Sequence, residues 1–280
     1  MKKVFISFAD DAMAYSLKRV GKLARDTGLF TDVILYTPNT LPEVIKDSPL
    51  LSYRRGAGYW AWKPAIIWET LQKFEEGTVV VYSDAGNTIC KSDQWEEYFK
   101  LLDKFDTVCF AYKDVMLEWE KFGQSSTKIG YWTKQSTQNF FKEILKDQDY
   151  GFKYNKIMGG VFLVRGKSNE FIRRWLSITL EHPELIIDPT EEEKKAESAT
   201  LAYHKHDQSI ITPLAHLYKD SVYIMHDKAE DDGNSAFFAS RVRTKTKNDY
   251  YKLVMRNSLR KLLGVDFYNT LKSSILKKKR

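Results

Sequence analysis

The segment Val79–Ile89, VVVYSDAGNTI, constrains the fold more than any other stretch of this 280-residue sequence. Three consecutive valines predict a strand that is buried on both faces, as in a parallel sheet covered by helices. The strand ends on Asp84, which a small residue and Gly86 follow. In isolation, a plain turn is the simpler interpretation of these residues. The alternative is a metal or phosphate site, because ligands bind at the carboxyl edge of open α/β sheets.

The first 37 residues predict a β-α-β unit. Lys3–Phe8 has the composition of a strand, the segment after it has the apolar spacing of a helix that ends at Gly28, and Asp32–Thr37 predicts a second strand. A helix between two short strands is typical of α/β folds, so we expect a parallel sheet.

The rest of the chain continues this alternation. We predict further strands and helices over these segments: helices Ala65–Phe74, Thr133–Lys146, Asn169–Glu181 and one from Asp207 that contains Pro213; strands Asp106–Tyr112, Gly159–Gly166 and Ser221–Met225. The charged segment 188–200 predicts an exposed loop. Since no repeat or low-complexity linker interrupts the chain, we expect one catalytic domain, 1–240, and a basic C-terminal segment, 241–280.

The composition indicates a folded, reduced protein. Hydrophobic residues make up 43% and aromatic residues 14% of the chain, which is typical of a globular core. No apolar run is long enough to span a membrane, and acids interrupt the N-terminal segment, so we expect no signal peptide. The two cysteines, Cys90 and Cys109, lack metal-type spacing, which favours the cytoplasm.

The positive charge is concentrated at the C-terminus. Residues 241–280 contain 13 of the 44 Lys and Arg but two of the 37 acids, a local net charge of +11. Residues 1–240 therefore carry −4 of the total of +7. A nucleic-acid-binding module needs a basic groove on its folded body, so this distribution argues against that class.

A basic and aromatic segment, YRRGAGYWAWKP, precedes the buried strand. Its cations and rings suit a nucleotide diphosphate and its base. A core aromatic cluster capped by the cations is an equally good interpretation. The residues concerned are Arg54, Arg55, Tyr59, Trp60, Trp62 and Lys63. Neither a dinucleotide fingerprint nor a P-loop is present.

Two later segments also contain candidate site residues. Gly159 and Gly160 precede a strand, which indicates close approach of the backbone to another group. His204, His206 and Asp207 precede a predicted helix. An N-cap role explains Asp207, and a zinc site would need further ligands that the sequence does not supply.

The last candidates follow the final predicted strand. His226 ends that strand, where a second metal ligand would fit. The series Arg241, Arg243, Lys245 and Lys247 predicts either a phosphate clamp or a solvated face.

The order of these segments resembles that of GT-A-type nucleotide-sugar glycosyltransferases, especially those of bacterial capsule and O-antigen clusters. The basic aromatic segment, the strand with an Asp-x-Asp-like triplet, the GG-strand and the DQ segment follow one another from Arg54 to Gln208. The triplet departs from the family at Gly86, where a second carboxylate is usual. The resemblance implies an α/β GT-A fold: a Rossmann-like nucleotide-binding sheet with flanking helices, and here a helical C-terminal extension.

The resemblance also implies a reaction. A hexosyl group, for which galactosyl is the first candidate, moves from a UDP-sugar to a lipid-linked oligosaccharide with retention of the anomeric configuration. Mn²⁺ or Mg²⁺ held by Asp84 and His226, with Asp227 or Asn87 as lesser candidates, would stabilise the leaving diphosphate. Asp207 and Gln208 are the implied catalytic residues. The implied substrate-binding residues are Phe8, Arg54, Tyr59, Trp60, Lys63, Ser83, Asp84, Ala85, Gly86, Gly159, Gly160, Arg241 and Arg243.

The basic tail suggests a membrane surface. Residues 250–280 interleave apolar and basic side chains, which predicts an amphipathic helix that binds anionic lipids. We therefore expect a cytoplasmic protein bound peripherally to the inner face of the plasma membrane, although a helix docked on the protein's own core also fits. The competing functions are a metal-dependent phosphohydrolase or nucleotidyltransferase, and a non-catalytic sugar-binding protein.

Overall fold

The computed structural model describes residues 1–113, 127–226 and 235–263. Its strands are β1 (Lys3–Phe8), β2 (Asp32–Tyr36), β3 (Val79–Ser83), β4 (Thr88–Ile89), β5 (Thr107–Ala111), β6 (Val161–Arg165), β7 (Val222–His226) and β8 (Phe237–Phe238). Six of them form one sheet in the order β2-β1-β3-β6-β5-β7, and β4 pairs with β8 in a small second sheet.

Helices connect most of these strands. They are α1 (Ala14–Asp26), α2 (Glu43–Lys46), α3 (Gly56–Tyr59), α4 (Trp62–Lys73), α5 (Gln94–Leu101), α6 (Gln135–Leu145), α7 (Tyr150–Lys153), α8 (Glu170–Glu181), α9 (Glu191–Ala196), α10 (Asp207–Leu217) and α11 (Lys247–Leu263). Short 3₁₀ turns cover Asp11–Met13, Pro38–Thr40, Pro49–Ser52, Ile129–Trp132 and Pro183–Leu185. The predicted helix through Pro213 is confirmed as α10.

The main sheet is mixed, with one antiparallel strand. β1, β2, β3, β5 and β7 run in one direction, whereas β6 pairs antiparallel with both β3 and β5. The predicted α/β class is confirmed, and the sheet is predominantly parallel, with β6 as its antiparallel strand. Because β6 is reversed, Gly160 enters the sheet at the edge where Asp84 leaves it, and the Asp84 N–H donates to the Gly160 carbonyl at 2.9 Å.

Helices cover both faces of the sheet, as the valine run predicted. Val80 and Tyr82 of β3 pack in the apolar cluster that includes residues of α4, α8 and α10. Val79 and Val81 pack on the opposite face with residues of α1 and α5. Every residue of β3 is buried, which excludes water from both sides of the strand that leads to Asp84.

The segment 188–200 contains a short helix, so the prediction of a loop was wrong there. The Glu193 N–H donates to Thr190 Oγ1 at 3.1 Å, and the Thr190 N–H donates to Glu193 Oε2 at 2.8 Å. This reciprocal pair is a capping box, which satisfies two backbone donors at the start of α9. The exposure predicted for the segment's charged residues is observed over 191–195, where they are exposed or half-buried.

The chain returns to the body before its last helix. β8 pairs with β4, the Val242 N–H donates to the Gly86 carbonyl at 2.9 Å, and the Tyr15 N–H donates to the Lys245 carbonyl at 3.2 Å. α11 starts at Lys247 and is largely exposed. Within the described ranges, no helix has the length and apolarity to cross a membrane. The division at residue 240 stays a prediction.

Candidate functional site

Asp84 lies at the carboxyl edge of the sheet, on the face that packs against α4 and α10. Side chains alternate along a strand, so Asp84 follows Val80 and Tyr82 on that face. The Tyr82 hydroxyl donates to Asp84 Oδ1 at 2.5 Å, and Lys63 Nζ lies 3.4 Å from the same oxygen. The Asp84 side chain is 40% exposed, so it is both anchored and open to solvent.

Lys63 joins Asp84 to Asp207. Its ammonium group, in the first turn of α4, donates to Asp207 Oδ2 at 2.6 Å and to the Gly159 carbonyl at 2.8 Å. Burial disfavours its charged form, but attraction to Asp207 and Asp84 outweighs burial, so the pKa of Lys63 is raised. We call Lys63, Asp84 and Asp207 the carboxylate–lysine cluster. Its lysine is 2% exposed, and its three N–H directions all face protein acceptors.

Gly159 and Gly160 permit this close arrangement. A Cβ at position 159 would lie 2.5 Å from Asp207 Oδ2, and one at 160 would lie 3.3 Å from Asp84 Oδ2. The predicted close approach of the backbone is therefore an approach to the two carboxylates, and neither position has room for a larger residue without displacement.

The turn after β3 is fixed by contacts with the C-terminal segment. Asn87 Nδ2 donates to Ser83 Oγ at 3.1 Å and to the Gly160 carbonyl at 3.0 Å. Ser83 and Ala85 are buried beneath the turn. A Cβ at Gly86 would lie 3.2 Å from the Val242 carbonyl oxygen, so a side chain there would require the backbone of this segment to shift by a few tenths of an ångström.

Arg241 and Arg243 lie on the exposed side of this C-terminal segment. Val242 and Thr244 alternate with them and are buried, so both arginines are on the solvent side. Arg241 has a left-handed backbone, with φ of 52°, which is uncommon for a residue other than glycine. Neither arginine has an acidic partner in the part of the chain that the structure describes.

Tyr112 connects Arg241 to the cluster and to Gln208. Burial raises the pKa of Tyr112, while the charge of Arg241 lowers it, the charges of Asp207 and Asp84 raise it, and the Gln208 side chain lowers it. Within the described residues, Gln208 Oε1 is buried and has no hydrogen-bond partner. An orphaned amide oxygen in the first turn of α10, beside the carboxylate–lysine cluster, indicates a place for a ligand.

The two histidines before α10 have structural contacts. His204 Nδ1 accepts from the Lys134 N–H at 3.2 Å, and its Nε2 donates to the Leu185 carbonyl at 3.0 Å. His206 donates from Nδ1 to the Ile186 carbonyl at 2.8 Å. Burial lowers the pKa of both histidines, so both are neutral. The N-cap of α10 is His206, and Asp207 is the first helical residue.

The aromatic residues upstream pack against His206. The Tyr59 ring is 5.0 Å and the Trp60 ring 5.4 Å from the His206 ring, and both residues have left-handed backbones. The Tyr59 hydroxyl donates to Asp188, which also pairs with Arg55 at 3.0 Å.

Two other predicted binding residues differ in their burial. Phe8 is buried, with its ring 4.0 Å from the ring of Trp62. Arg54 is exposed. Phe8 therefore supports the floor of the site through Trp62, which also contacts Tyr82.

The two predicted metal ligands are not brought together. His226 is exposed at the end of β7, three strands from β3, a separation of about 14 Å at the usual strand spacing. The described ranges contain no group of three His, Cys, Asp or Glu side chains suited to a metal ion. Asp84 Oδ2 has no hydrogen bond in these ranges and fits one ligand position; Asp227 lies outside the described residues.

Several residues of this site were missed in the sequence. Tyr82 precedes Asp84 by two positions on a strand, and that period could have identified it. Arg19 donates to the Asn87 carbonyl at 2.9 Å and to Thr88 Oγ1 at 2.6 Å, which braces the turn from α1. Neither Arg19 nor Tyr112 has a local sequence signal, because each reaches the site through packing.

Comparisons with known proteins gave structural likenesses. No protein family matches the sequence, and no curated protein does. The fold is similar to mouse xyloside xylosyltransferase 1, at 11% identity and TM-score 0.43 over 80% of this chain and 85% of that one. It is also similar to 4-diphosphocytidyl-2C-methyl-D-erythritol synthase of Anaerococcus prevotii DSM 20548, at 10% identity and TM-score 0.39 over 89% of this chain and 95% of that one. A third similar structure is that of the galactosyltransferase LgtC, solved with donor and acceptor sugar analogues. The identity is 16% and the TM-score 0.34, over 79% of this chain and 72% of that one. At these scores, a functional proposal depends on this chain's own residues.

Proposed function

We propose that this chain is a glycosyltransferase that moves a hexosyl group, galactosyl in the first instance, from a UDP-sugar to a lipid-linked glycan with retention. The observation that carries the proposal is Gln208, whose buried Oε1 has no hydrogen-bond partner among the described residues. Its backbone N–H donates to Asp207 Oδ1 at 2.9 Å, so it adjoins the carboxylate–lysine cluster. Burying an acceptor without a donor costs free energy, which a ligand at this position would offset.

Arg241 is the residue that we assign to the leaving diphosphate. It is exposed, it lies between Ser240 and Val242, which both hydrogen-bond to the Gly86 carbonyl, and its charge acts on Tyr112 together with those of Asp84 and Asp207. A guanidinium binds two phosphate oxygens at once through its fork of N–H groups. Arg243, on the same exposed side, is a second phosphate ligand.

Lys63 has a different role from the one that the resemblance implied. Since its donors face Gly159, Asp207 and Asp84, it holds the two carboxylates in place instead of binding phosphate. Its charge still acts on the site, because a buried cation in a low dielectric is poorly screened. We therefore assign Lys63 as a positioning residue.

The transfer step needs no separate base. The bond between the anomeric carbon and the diphosphate oxygen breaks, and the acceptor oxygen bonds to that carbon from the same face. The acceptor's proton passes to the departing phosphate oxygen. Gln208 Oε1, a fixed dipole below the anomeric carbon, stabilises the positive charge that develops there.

A divalent ion, Mn²⁺ or Mg²⁺, stays a prediction. Asp84 suits it as a single carboxylate ligand, since diphosphate oxygens and water complete the shell of such ions. Bound there, the ion would neutralise charge on the leaving phosphate.

Nucleotide binding is the first test of this proposal. UDP at one hundred times its Kd should stabilise the protein by about 2.7 kcal/mol. We expect a higher melting temperature with UDP or UDP-sugars in a thermal-shift screen that includes GDP, CMP and dTDP, and Arg241→Ala should reduce the shift. The exposed Lys18→Ala on α1 is the control. If no nucleotide raises the melting temperature, the transferase proposal fails.

The same screen separates the competing enzyme class. Repeating the screen in EDTA and with Asp84→Ala tests whether a metal ion binds at Asp84. If nucleotide binding and turnover are unchanged under both conditions, a metal at Asp84 is contradicted. Release of pyrophosphate from a nucleoside triphosphate, without sugar transfer, would favour a nucleotidyltransferase.

For the membrane, we propose that α11 binds the anionic inner leaflet. Four apolar residues recur along it every three or four positions and are 42–81% exposed: Tyr251, Met255, Leu259 and Leu262. Lys252, Arg256 and Lys261 lie among them, and each basic residue near an anionic surface contributes on the order of 1 kcal/mol. The predicted continuation over 264–280 lies outside the described residues.

Liposome sedimentation tests this helix. Truncation after Tyr250, which keeps the contact of that ring with Tyr15, should lower binding to phosphatidylserine liposomes at least about tenfold, because several basic residues are lost. Met255→Glu in the full chain should lower it less. Donor hydrolysis in solution should be unchanged in both variants. Equal binding of the truncated and full chains would refute the membrane role.

A further inference from the structure

Two lysines approach the same tryptophan ring beside the candidate site. Lys156 Nζ lies 3.5 Å from the centroid of Trp132, and Lys205 Nζ lies 5.2 Å from it. Lys156 also lies 5.0 Å from the Tyr112 ring, and Lys205 donates to the Tyr203 hydroxyl at 2.5 Å. We call these five residues the lysine pocket.

The lysine pocket has positive charge without an acid to balance it. Neither lysine forms an ion pair within the described ranges, and Lys156 is 7% exposed. Burial, followed by repulsion from Lys205, lowers the pKa of Lys156 to about 7. Contacts with aromatic rings offset only part of the cost of burying an ammonium group. An anion would supply the missing partner.

The lysine pocket adjoins the reacting groups through Lys205 and Tyr112. The Gln208 N–H donates to the Lys205 carbonyl at 3.0 Å, so Lys205 precedes Gln208 by one turn. Tyr112 lies between the two regions: its pKa responds to Asp84, Asp207 and Arg241, and its ring contacts Lys156. A group in the lysine pocket would therefore sit beside Gln208.

We propose that the lysine pocket is an acceptor subsite for an anionic group, a carboxylate or a phosphate, carried by the glycan near its reacting hydroxyl. This inference rests on the proposed function, because it takes Gln208 as the point beneath the transferred sugar. Charge-assisted hydrogen bonds from Lys156 and Lys205 would hold the anion. The sugar ring beside it would contact the partly exposed Tyr203.

Binding of three simple probes tests the subsite: methyl glucuronide, glucose 6-phosphate and methyl glucoside, each titrated by calorimetry with UDP present and absent. Either charged probe should bind at least about tenfold more tightly than the neutral one, since a charge-assisted hydrogen bond has this magnitude. Lys156→Met should remove the preference, and the exposed Lys219→Met should retain it. The tighter of the two charged probes identifies the anion as carboxylate or phosphate.

Equal binding of charged and neutral probes to the unaltered protein would overturn the subsite, as would a preference that survives both Lys156→Met and Lys205→Met. The two proposals fail in different ways. If the proposed function is wrong, UDP should give no thermal shift, whereas the preference for charged probes should remain. Lys205→Met also keeps the test decisive if Lys156→Met does not fold.

The stability of Lys156→Met provides an independent readout. The folded pKa of Lys156, about 7, lies below the ordinary lysine value of 10.5. Between these pH values the unfolded chain binds more protons, so the unaltered protein gains stability as the pH rises through that window. The variant should melt higher than the unaltered protein at pH 6, and the difference should decrease towards pH 10. If Lys156→Met melts at a lower temperature than the unaltered protein at pH 6, Lys156 is not a buried cation without a partner.

Discussion

Lys63→Met should lower the free energy of unfolding by about 3–5 kcal/mol, the usual result of removing one partner from a buried ion pair. Asp207 is 7% exposed at its side chain and would retain a buried negative charge beside Asp84. Turnover should decrease about a hundredfold or more, because both carboxylates lose the group that orients them. Urea denaturation and initial-rate measurements with a UDP-sugar check the two effects.

Two variants separate stability from activity in this prediction. Lys63→Met combined with Asp207→Asn removes both charges and should recover much of the stability but little of the turnover. Lys73→Met removes an exposed lysine of the same helix that pairs with Glu69, and should cost less than about 1 kcal/mol. Lys63→Met with unchanged stability would show that the buried pair is not formed.

Gly159→Ala should disrupt the same cluster from the backbone side. The added Cβ would lie 2.5 Å from Asp207 Oδ2 and 3.2 Å from Lys63 Nζ, so at least one of these groups must move. Gly159 is not among the residues of positive φ, and the cost is therefore steric. We expect a loss of about 1–3 kcal/mol of stability, as for other overpacked sites.

Gly160→Ala is the graded comparison. Its Cβ would lie 3.3 Å from Asp84 Oδ2, a tight contact that the half-exposed carboxylate can relieve by a small movement. Its melting temperature should lie between those of Gly159→Ala and the unaltered protein, and its kcat/KM should follow the same order. If Gly159→Ala is as stable and as active as the unaltered protein, the close packing of the cluster is disproved.

Much of the fold could be predicted because its signals are local. The valine run of β3 predicted burial on both faces, and the alternation of elements predicted an α/β fold; both are confirmed. The reversed direction of β6 had no local signal, because strand direction depends on which neighbours a strand pairs with. The short helix α9 did have one, the Thr190–Glu193 capping box, which its high charge obscured.

The candidate site was predicted less completely, because its chemistry depends on contacts between distant residues. The sequence singled out Lys63, Asp84 and Asp207, but it could not show that Lys63 is enclosed between the two carboxylates, one of them 144 positions away. It could not identify Lys156 either, since an isolated lysine in a sequence is indistinguishable from a solvated one. Burial and neighbouring charges decide what such a group does, and both arise only on folding.

The sequence by itself determined that a buried strand ends on Asp84 at the edge of an α/β sheet, because apolar periodicity and turn residues act locally. Only the tertiary structure decided which charges meet there. It placed the reversed β6 and the segment around Val242 against the Asp84 turn, so that any side chain at Gly86 or Gly160 would be crowded. The energy of a charged group depends on its separation from other charges and from water, and packing sets both.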